Sequence, residues 1–212
     1  MKYRYFGVVG PVIFFTVASL LAAVLPGYSS KTQMISELGA TGAEFSSVFN
    51  YLGFLPNGLF ITAFAVFLYA ALKNSKLNPL PAVLIAVHGI GMSLATWFSC
   101  DITCNPVSPS NSQVIHNAIA GIKFPALIVS MFIIGFQLTK SGISKRFGIY
   151  SIISGVLSLV LMGLFASSVE SRSHTGELQR LFIGVAYVWL VLLSFNSSTL
   201  FSGKAQSEKV CT

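Results

Sequence analysis

The sequence predicts an all-α integral membrane protein, a bundle of six transmembrane helices with both termini in the cytoplasm. Apolar residues make up 54% of the chain and charged residues only 9%, a balance that excludes an ordinary soluble domain and a disordered chain. The apolar residues gather into six segments, each long enough to cross a bilayer. Lysine and arginine lie between these segments, as they do in multi-pass membrane proteins.

The predicted helices follow one another in a single multi-pass domain, residues 1–212. The first helix follows Lys2 and Arg4, as a signal peptide would, but its apolar stretch is longer than a usual signal-peptide core and predicts a retained helix. The connections are too short to contain a soluble domain. The six predicted helices span residues 5–26, 43–72, 80–99, 112–139, 147–168 and 177–201.

Local signals support the third, fourth and fifth helices. Ser110 and Gln113 have the capping-box spacing that marks the start of the fourth helix. Small residues let helix backbones approach closely in a membrane, so the glycines of the third and fifth helices predict close packing. These glycines are Gly89, Gly91, Gly148 and Gly155.

The basic residues predict the orientation of the bundle. They concentrate before the first helix, in the second and fourth connections, and in the tail at Lys204 and Lys209. All these positions lie on one side if the chain crosses six times, and the other side has only Lys31, Arg172 and Arg180. The positive-inside rule therefore predicts cytoplasmic termini and, in a prokaryote, a multi-pass protein of the cytoplasmic cell membrane.

The fourth helix carries polar side chains along one slowly drifting face. They recur every seven residues, at His116, Lys123, Ser130 and Gln137. Polar groups in hydrocarbon are costly, so such a face normally turns to the bundle interior or to a wet cavity. Lys123 lies about 10 Å below His116 along the helix. Its ammonium group could snorkel to the interface or pair with Asp101 or Glu37.

The predicted topology brings reactive side chains together at the non-cytoplasmic interface, where a lipid headgroup, ester or phosphate would lie. We predict that four of them are catalytic: His116, Asp101, Ser36 and Glu37. We predict that four others bind the substrate: Arg180, Gln179, Lys123 and Asn117. Arg180 could hold a phosphate because its guanidinium group donates two parallel hydrogen bonds.

These residue types are compatible with more than one chemistry. Ser36, His116 and Asp101 are the right types for a nucleophile, a base and an orienting acid, although no nucleophile-elbow sequence surrounds Ser36. A metal site is chemically conceivable from His116, His174, Asp101 and Glu37. These residues lack the close paired spacing of recognisable metal sites, and we predict no metal and no cofactor.

Two cysteines flank Asp101 in the sequence Cys100-Asp-Ile-Thr-Cys104. If this side of the membrane is oxidising, a disulfide could pin the loop that carries the acid. Residues four apart are within disulfide reach if the segment is helical. The alternative is that both cysteines are small apolar residues at a helix end, and the sequence leaves both interpretations open.

Four short motifs, in this order and spacing, resemble a known family. They are Ile35-Ser36-Glu37-Leu38-Gly39, Phe98-Ser99-Cys100-Asp101, Ile115-His116-Asn117 and Gly176-Glu177-Leu178-Gln179-Arg180. Over nearly its whole length the chain resembles a prokaryotic membrane family called domain of unknown function 998. The resemblance implies a membrane protein but no particular activity.

The first motif and the stretch from His116 to Ala120 are also similar to the Frag/DRAM/Sfk superfamily of eukaryotic six-helix proteins. There the pattern is nearer Ser-Asp-Thr-Gly followed by His-Asp-x-x-Ala, whereas this chain has Glu37, Leu38 and Asn117. Some members of that superfamily act in the lipid remodelling of glycolipid anchors or in phospholipid distribution. This resemblance implies a function that acts on lipids at the outer leaflet.

Three functions are compatible with these patterns. The first is a lipid-interacting or lipid-modifying membrane protein whose partner is a membrane lipid. The second is a small-solute or proton-coupled transporter that uses the polar face of the fourth helix, and the third is a non-catalytic membrane scaffold. The basic residues form short clusters between apolar segments, so we expect no nucleic-acid partner. The patterns carry no signal for an oligomeric state and leave open whether the chain is an enzyme.

Overall fold

The computed structural model describes the backbone of residues 2–201 and the side chains from residue 4 onward. Within that range the chain forms six main helices and no strand. They are α1 (Phe6–Val24), α2 (Ser46–Asn74), α3 (Leu80–Leu94), α4 (Asn111–Ser141), α5 (Lys145–Ser168) and α6 (Thr175–Leu200). All except α3 are long and apolar enough to cross a membrane. Lys204 and Lys209, which support the predicted orientation, lie outside the described residues.

The helices confirm the predicted all-α membrane bundle, but α3 ends earlier than predicted. It stops at Leu94 rather than at residue 99 and has only 15 residues. Beyond Leu94 the chain continues in tight turns, in which the Thr96 N–H bonds the Ser93 carbonyl and the Phe98 N–H bonds the Leu94 carbonyl, each at 3.1 Å. The Thr96 hydroxyl donates to the Asn50 carbonyl of α2 at 3.2 Å, and the Phe98 carbonyl accepts a hydrogen bond from a side chain of α4.

Consecutive helices pack in chain order, and α6 closes the ring against α1. The start and the end of the described chain lie at the same end of the bundle, where the Ser194 hydroxyl donates to the Arg4 carbonyl. Ser75, between α2 and α3, donates to the Phe201 carbonyl at 2.8 Å. We call this end the terminal end. At the opposite end the connections 25–45, 95–110 and 169–174 meet, and we call them the cap.

Near the terminal end, α4 and α5 approach backbone to backbone. A Cβ atom on Gly148 would lie 2.8 Å from the Gly135 carbonyl oxygen, and one on Gly135 would lie 2.9 Å from the Gly148 carbonyl oxygen. Close packing through small residues is a common way for membrane helices to associate. Large apolar side chains fill the centre here, and fully buried examples are Leu68, Met131, Ile134, Leu190 and Leu193. The terminal half of the bundle is therefore tightly packed.

Candidate functional site

Arg172 ties the three connections of the cap together. Its Nη2 donates to Oε1 of Glu37 at 2.7 Å, and its Nη1 donates to the Thr103 carbonyl at 2.7 Å. The same Glu37 oxygen accepts the Met34 N–H at 2.9 Å. The Glu37 side chain is only 5% exposed, so its carboxylate is held within the cap. The structure thus gives this predicted catalytic acid a visible role in joining loops.

The backbone of the cap is strained where these loops meet. Thr103, Cys104 and Arg172 have positive φ values of 71°, 50° and 53°. Such a conformation costs a residue other than glycine on the order of 1 kcal/mol and persists only when surrounding contacts enforce it. The Arg172 side chain bonds the Thr103 carbonyl, so this hydrogen bond joins two of the three strained residues and helps to hold them in these conformations.

Asp101 fixes the start of α4 rather than orienting His116. Its carboxylate accepts the Ser110 N–H at 2.8 Å and the Ser110 hydroxyl at 2.7 Å. These two hydrogen bonds hold the pKa of the Asp101 carboxyl below its usual value. The structure bonds Cys100 to Cys104, which closes the loop around this acid. Of the two interpretations of the cysteines, the structure contains the disulfide.

Arg180 pins the first connection onto α6. Its Nη1 donates to the carbonyl oxygens of Ser30, Gln33 and Gly176, each at 2.9 Å. Its Nη2 donates to the Tyr28 hydroxyl at 2.7 Å. Burial raises the pKa of the Tyr28 phenol above its usual value, although the nearby Arg180 opposes that shift. These contacts leave the predicted phosphate-binding role of Arg180 without support in the geometry.

A cavity of about 670 Å³ lies beneath the cap. Its volume is typical of ligand-binding pockets. Most of its wall is apolar and comes from α4, α5 and α6, with single side chains of α1, α2 and α3 at the back. Five of the predicted site residues line it: Ser36, His116, Asn117, Lys123 and Gln179. The other three, Asp101, Glu37 and Arg180, are not among the lining residues.

His116 presents a hydrogen-bond acceptor to this cavity. Its Nδ1 lies 2.8 Å from the Phe98 carbonyl oxygen. A carbonyl only accepts, so Nδ1 carries the proton, and Nε2 of the neutral ring has a free lone pair. Within residues 4–201, Nε2 has no hydrogen-bond partner. A backbone carbonyl therefore takes the orienting role that the sequence suggested for Asp101.

Two side-chain amides present donors to the same space. Oε1 of Gln179 accepts the Ile35 N–H at 2.6 Å, which leaves its NH₂ group to the cavity. Oδ1 of Asn117 accepts from Nε2 of Gln113 at 2.8 Å, which leaves the Asn117 NH₂ group there too. Because each amide oxygen faces an N–H donor, the orientation of both amides is determined.

Gln113 organises this region and was missed as a site residue by the sequence analysis. It is 1% exposed, and its Oε1 accepts the Asp101 N–H at 2.8 Å. Its Nε2 donates to the Cys104 carbonyl at 3.3 Å as well as to Asn117. The capping-box spacing predicted a local role, and the Ser110 hydroxyl does accept the Gln113 N–H at 3.1 Å. The spacing of four residues between Gln113 and Asn117 was the available signal for their contact.

Lys123 is a buried cation on the cavity wall. It is 3% exposed and pairs with no carboxylate in the described part of the chain, so neither predicted outcome, snorkelling or an ion pair, is found. Its Nζ lies 5.6 Å from the ring centre of Phe54 and 5.1 Å from that of Phe124. Desolvated cation–π contacts contribute about 2 kcal/mol, whereas burying an ammonium ion costs several kcal/mol. The rings therefore offset only part of the cost.

A hydrogen-bonded chain of buried side chains forms the floor under Lys123. Nδ2 of Asn57 donates to the Tyr187 hydroxyl at 2.7 Å, and that hydroxyl lies 3.3 Å from Nε2 of His88. Nδ1 of His88 donates to the Lys123 carbonyl at 3.1 Å. This chain links α2, α6, α3 and α4, and both ring nitrogens of His88 are engaged in it. His88 is a packing residue here.

The polar face of α4 does not continue as an open path below this floor. The Ser130 hydroxyl donates to the Leu127 carbonyl of its own helix at 2.6 Å. Gln137 bonds the backbone of Asn78 near the terminal end, where its Oε1 accepts the Asn78 N–H at 2.8 Å. The α4 residues that line the cavity end two positions after Lys123.

The cavity opens sideways between α4 and α5. Gly121 of α4 and Gly163 of α5 both line it, and both are exposed. A Cβ atom on either glycine would meet nothing within 4 Å. The two helices that touch at Gly135 and Gly148 have therefore separated at this level. The opening, which we call the slit, lies between two helices that are long and apolar enough to cross a membrane.

These features define a membrane-spanning helical protein with a cavity that opens on its side. The chain belongs to the family described as protein of unknown function, DUF998, whose model matches residues 8–196. No curated protein and no solved structure matches the chain. The family that the four motifs predicted is confirmed, while the more remote superfamily resemblance stays a prediction. All four motifs lie in the cap or at the ends of the helices beneath it.

Proposed function

We propose that this protein binds a membrane lipid in the cavity and that the lipid enters from the bilayer through the slit. The slit carries the proposal. Gly121 and Gly163 border an opening between two membrane-spanning helices, and an opening on that side lets a ligand enter from the surrounding lipid. The cavity wall is mostly apolar beyond the slit, as an acyl chain requires.

The polar groups of the cavity suit the head of such a lipid. Asn117 and Gln179 offer amide donors, and Nε2 of His116 offers an acceptor. An ester or phosphate oxygen would accept from the amides, and a lipid hydroxyl would donate to the imidazole. These groups lie near the cap, toward the interface that headgroups occupy.

Lipid binding is better supported than lipid modification. Ser36 and His116 both line the cavity, as a nucleophile and its base would. However, the Ser36 hydroxyl lies 3.5 Å from Sγ of Cys104, and Asp101 is bound to Ser110. The orienting acid of a three-residue relay is therefore engaged elsewhere. No contact within the described residues favours the transporter or the scaffold over lipid binding.

The membrane and orientation that we propose follow from the charges. Basic residues at the terminal end include Lys73, Lys140, Lys145 and Arg146. Positive residues favour the cytoplasmic side, which puts the cap and its disulfide outside the cell in an oxidising compartment. We therefore propose a multi-pass protein of the cell membrane, which in a prokaryote is the cytoplasmic membrane.

Blocking the slit tests the proposal. The purified protein in lipid nanodiscs is exposed to a single-chain lipid with a photoreactive diazirine on its chain, and covalent labelling is measured by mass spectrometry. Gly121→Phe and Gly163→Phe should reduce labelling of the cavity wall to background, because each places a ring in the opening. Gly184→Phe is the matched control, since Gly184 also has open space around it but does not line the cavity.

Labelling of cavity residues in the control variant should equal that of the wild type. Equal labelling in all four proteins would overturn entry through the slit. Labelling confined to the outer surface of the wild type would overturn lipid binding in the cavity.

A further inference from the structure

We infer that the lipid bound here has one long chain and an anionic group, a carboxylate or a phosphate, that pairs with Lys123. This inference rests on the proposed function and adds the chemical class of the ligand. It starts from Lys123, a residue that lines the cavity and is 3% exposed. Its aromatic neighbours, Phe54 and Phe124, neutralise no charge.

The acidic residues of the cap either bond to other groups or lie beyond ion-pair distance of Lys123. Glu37 is bound to Arg172, and Asp101 is bound to Ser110. Glu170 lines the cavity and is exposed, but within the described chain it is not within ion-pair distance of Lys123. The chain thus buries an amine whose protonated form has no counter-charge within the described residues, and an anion in the cavity would supply one.

The uncharged groups of the cavity favour the same ligand. Asn117 and Gln179 turn NH₂ groups, not oxygen atoms, into the space above Lys123. Each orientation is enforced by an N–H donor on the other side, so neither amide rotates without losing a hydrogen bond. Two amide donors and an ammonium group suit the oxygen atoms of an anion, and Nε2 of His116 accepts from any hydroxyl that the head carries.

The size of the cavity favours a single chain. At roughly 30 Å³ for each water-sized group, a cavity of about 670 Å³ holds about 20 such groups. That is enough for one long acyl chain with a carboxylate head, whereas a larger head or a second chain would extend through the slit. Fatty acids and lysophosphatidic acid share this chemistry: one chain and one anionic group.

The test compares ligands that differ only in their head. Binding of palmitate, of palmitoyl lysophosphatidic acid and of the neutral hexadecanol is measured by displacement of the photoreactive probe from the full-length protein in nanodiscs. Both anionic ligands should displace the probe about tenfold or more better than the alcohol, because the ammonium group is buried and otherwise unpaired. The better of the two anionic ligands distinguishes a carboxylate head from a phosphate head.

Substitutions then assign this preference to Lys123. Lys123→Met should abolish the advantage of the anionic ligands while hexadecanol still binds, and Lys123→Arg should retain part of it. Lys140→Met is the matched control, because Lys140 is an exposed lysine near the other end of the same helix. If Lys123→Met does not fold, Lys123→Gln takes its place.

The outcomes separate the inference from the proposed function. Equal displacement by all three ligands in the wild type, or an unchanged anionic preference in Lys123→Met, overturns the inference and leaves lipid binding intact. A wild-type protein whose cavity none of the ligands or the probe occupies overturns both.

Discussion

The two halves of this bundle use glycine in opposite ways. Near the terminal end, Gly135 and Gly148 bring α4 and α5 into backbone contact. Nearer the cap, Gly121 and Gly163 of the same two helices face nothing within 4 Å and border the slit. A glycine in a membrane helix removes a side chain, and the facing helix decides whether this produces a contact or an opening.

The polar and charged residues in the half of the bundle nearer the cap also fall into two groups. Glu37 and Asp101 of the cap and Arg180 of α6 bond to other parts of the protein, and so they hold loops and a helix start in place. The cavity residues His116 and Lys123 retain an unused acceptor and an unpaired cation. The difference shows that an interfacial charge is a site candidate only when the structure leaves it unsatisfied.

The sharpest test of the contrast between the halves adds the same side chain to each. Gly148→Leu should destabilise the protein by about 3 kcal/mol, because the added side chain meets the backbone of α4. Gly163→Leu should change stability by no more than about 0.5 kcal/mol, because its side chain enters open space. Thermal unfolding in detergent measures both, and similar losses in the two variants would contradict the contrast.

The second largest effect is expected in the cap. Arg172→Met leaves the buried Glu37 carboxylate without its counter-charge and should cost about 2 kcal/mol, a value reduced because the arginine is 30% exposed. Adding Glu37→Gln should recover part of this loss, since it removes the uncompensated charge. A double variant no more stable than Arg172→Met would show that Glu37 does not depend on Arg172.

A smaller effect of opposite sign is expected in the cavity. Lys123→Met should stabilise the lipid-free protein by about 1 kcal/mol, because it replaces a buried, unpaired cation with an apolar side chain of similar length. The melting temperature in detergent, after removal of bound lipid, measures this change. Lys140→Met should have no effect, and a lower melting temperature in Lys123→Met would mean that the ammonium group has a partner within the protein.

The smallest effect concerns the pH dependence of the cap. The folded-state pKa of Asp101 is lowered from its ordinary value of 3.8, so this group's stabilisation is fully present above that pH. It is lost as the pH falls through the folded-state pKa. Asp101→Asn should slightly lower the melting temperature at neutral pH and flatten its decline below about pH 4. Ser110→Ala should flatten this decline similarly. If the melting temperature of both variants falls with acid as it does in the wild type, Asp101 does not stabilise the cap in this way.

Much of the fold could be predicted because it depends on one segment at a time. The ends of five helices agree with prediction to within three residues, since the hydropathy of the chain marks where each apolar segment begins and ends. The exception is α3, which gives way to turns after Leu94, where the Thr96 hydroxyl and the Phe98 carbonyl bond to α2 and α4. Such bonds to other helices leave no periodic trace in the sequence of α3.

The site could be predicted only by residue type and approximate depth. His116 and Lys123 were identified from their spacing on one helix, and both line the cavity. Asp101 and Arg180 have equally suitable chemistry and similar predicted depth, yet the structure uses them to hold the cap. Gln113 received no site role, because two of its partners, Asp101 and Cys104, belong to the preceding loop and only folding brings them to it.

By itself, therefore, the sequence determined the membrane class, the helical segments and the family, because hydropathy, charge distribution and motif order are all properties of the linear chain. The tertiary structure alone decided which polar groups are satisfied and where the bundle opens. The deciding contacts join distant residues: Glu37 and Arg172 are 135 positions apart, and Ile35 and Gln179 are 144 apart. Whether a polar group is free to bind a ligand depends on such partners, and a local pattern contains no record of them.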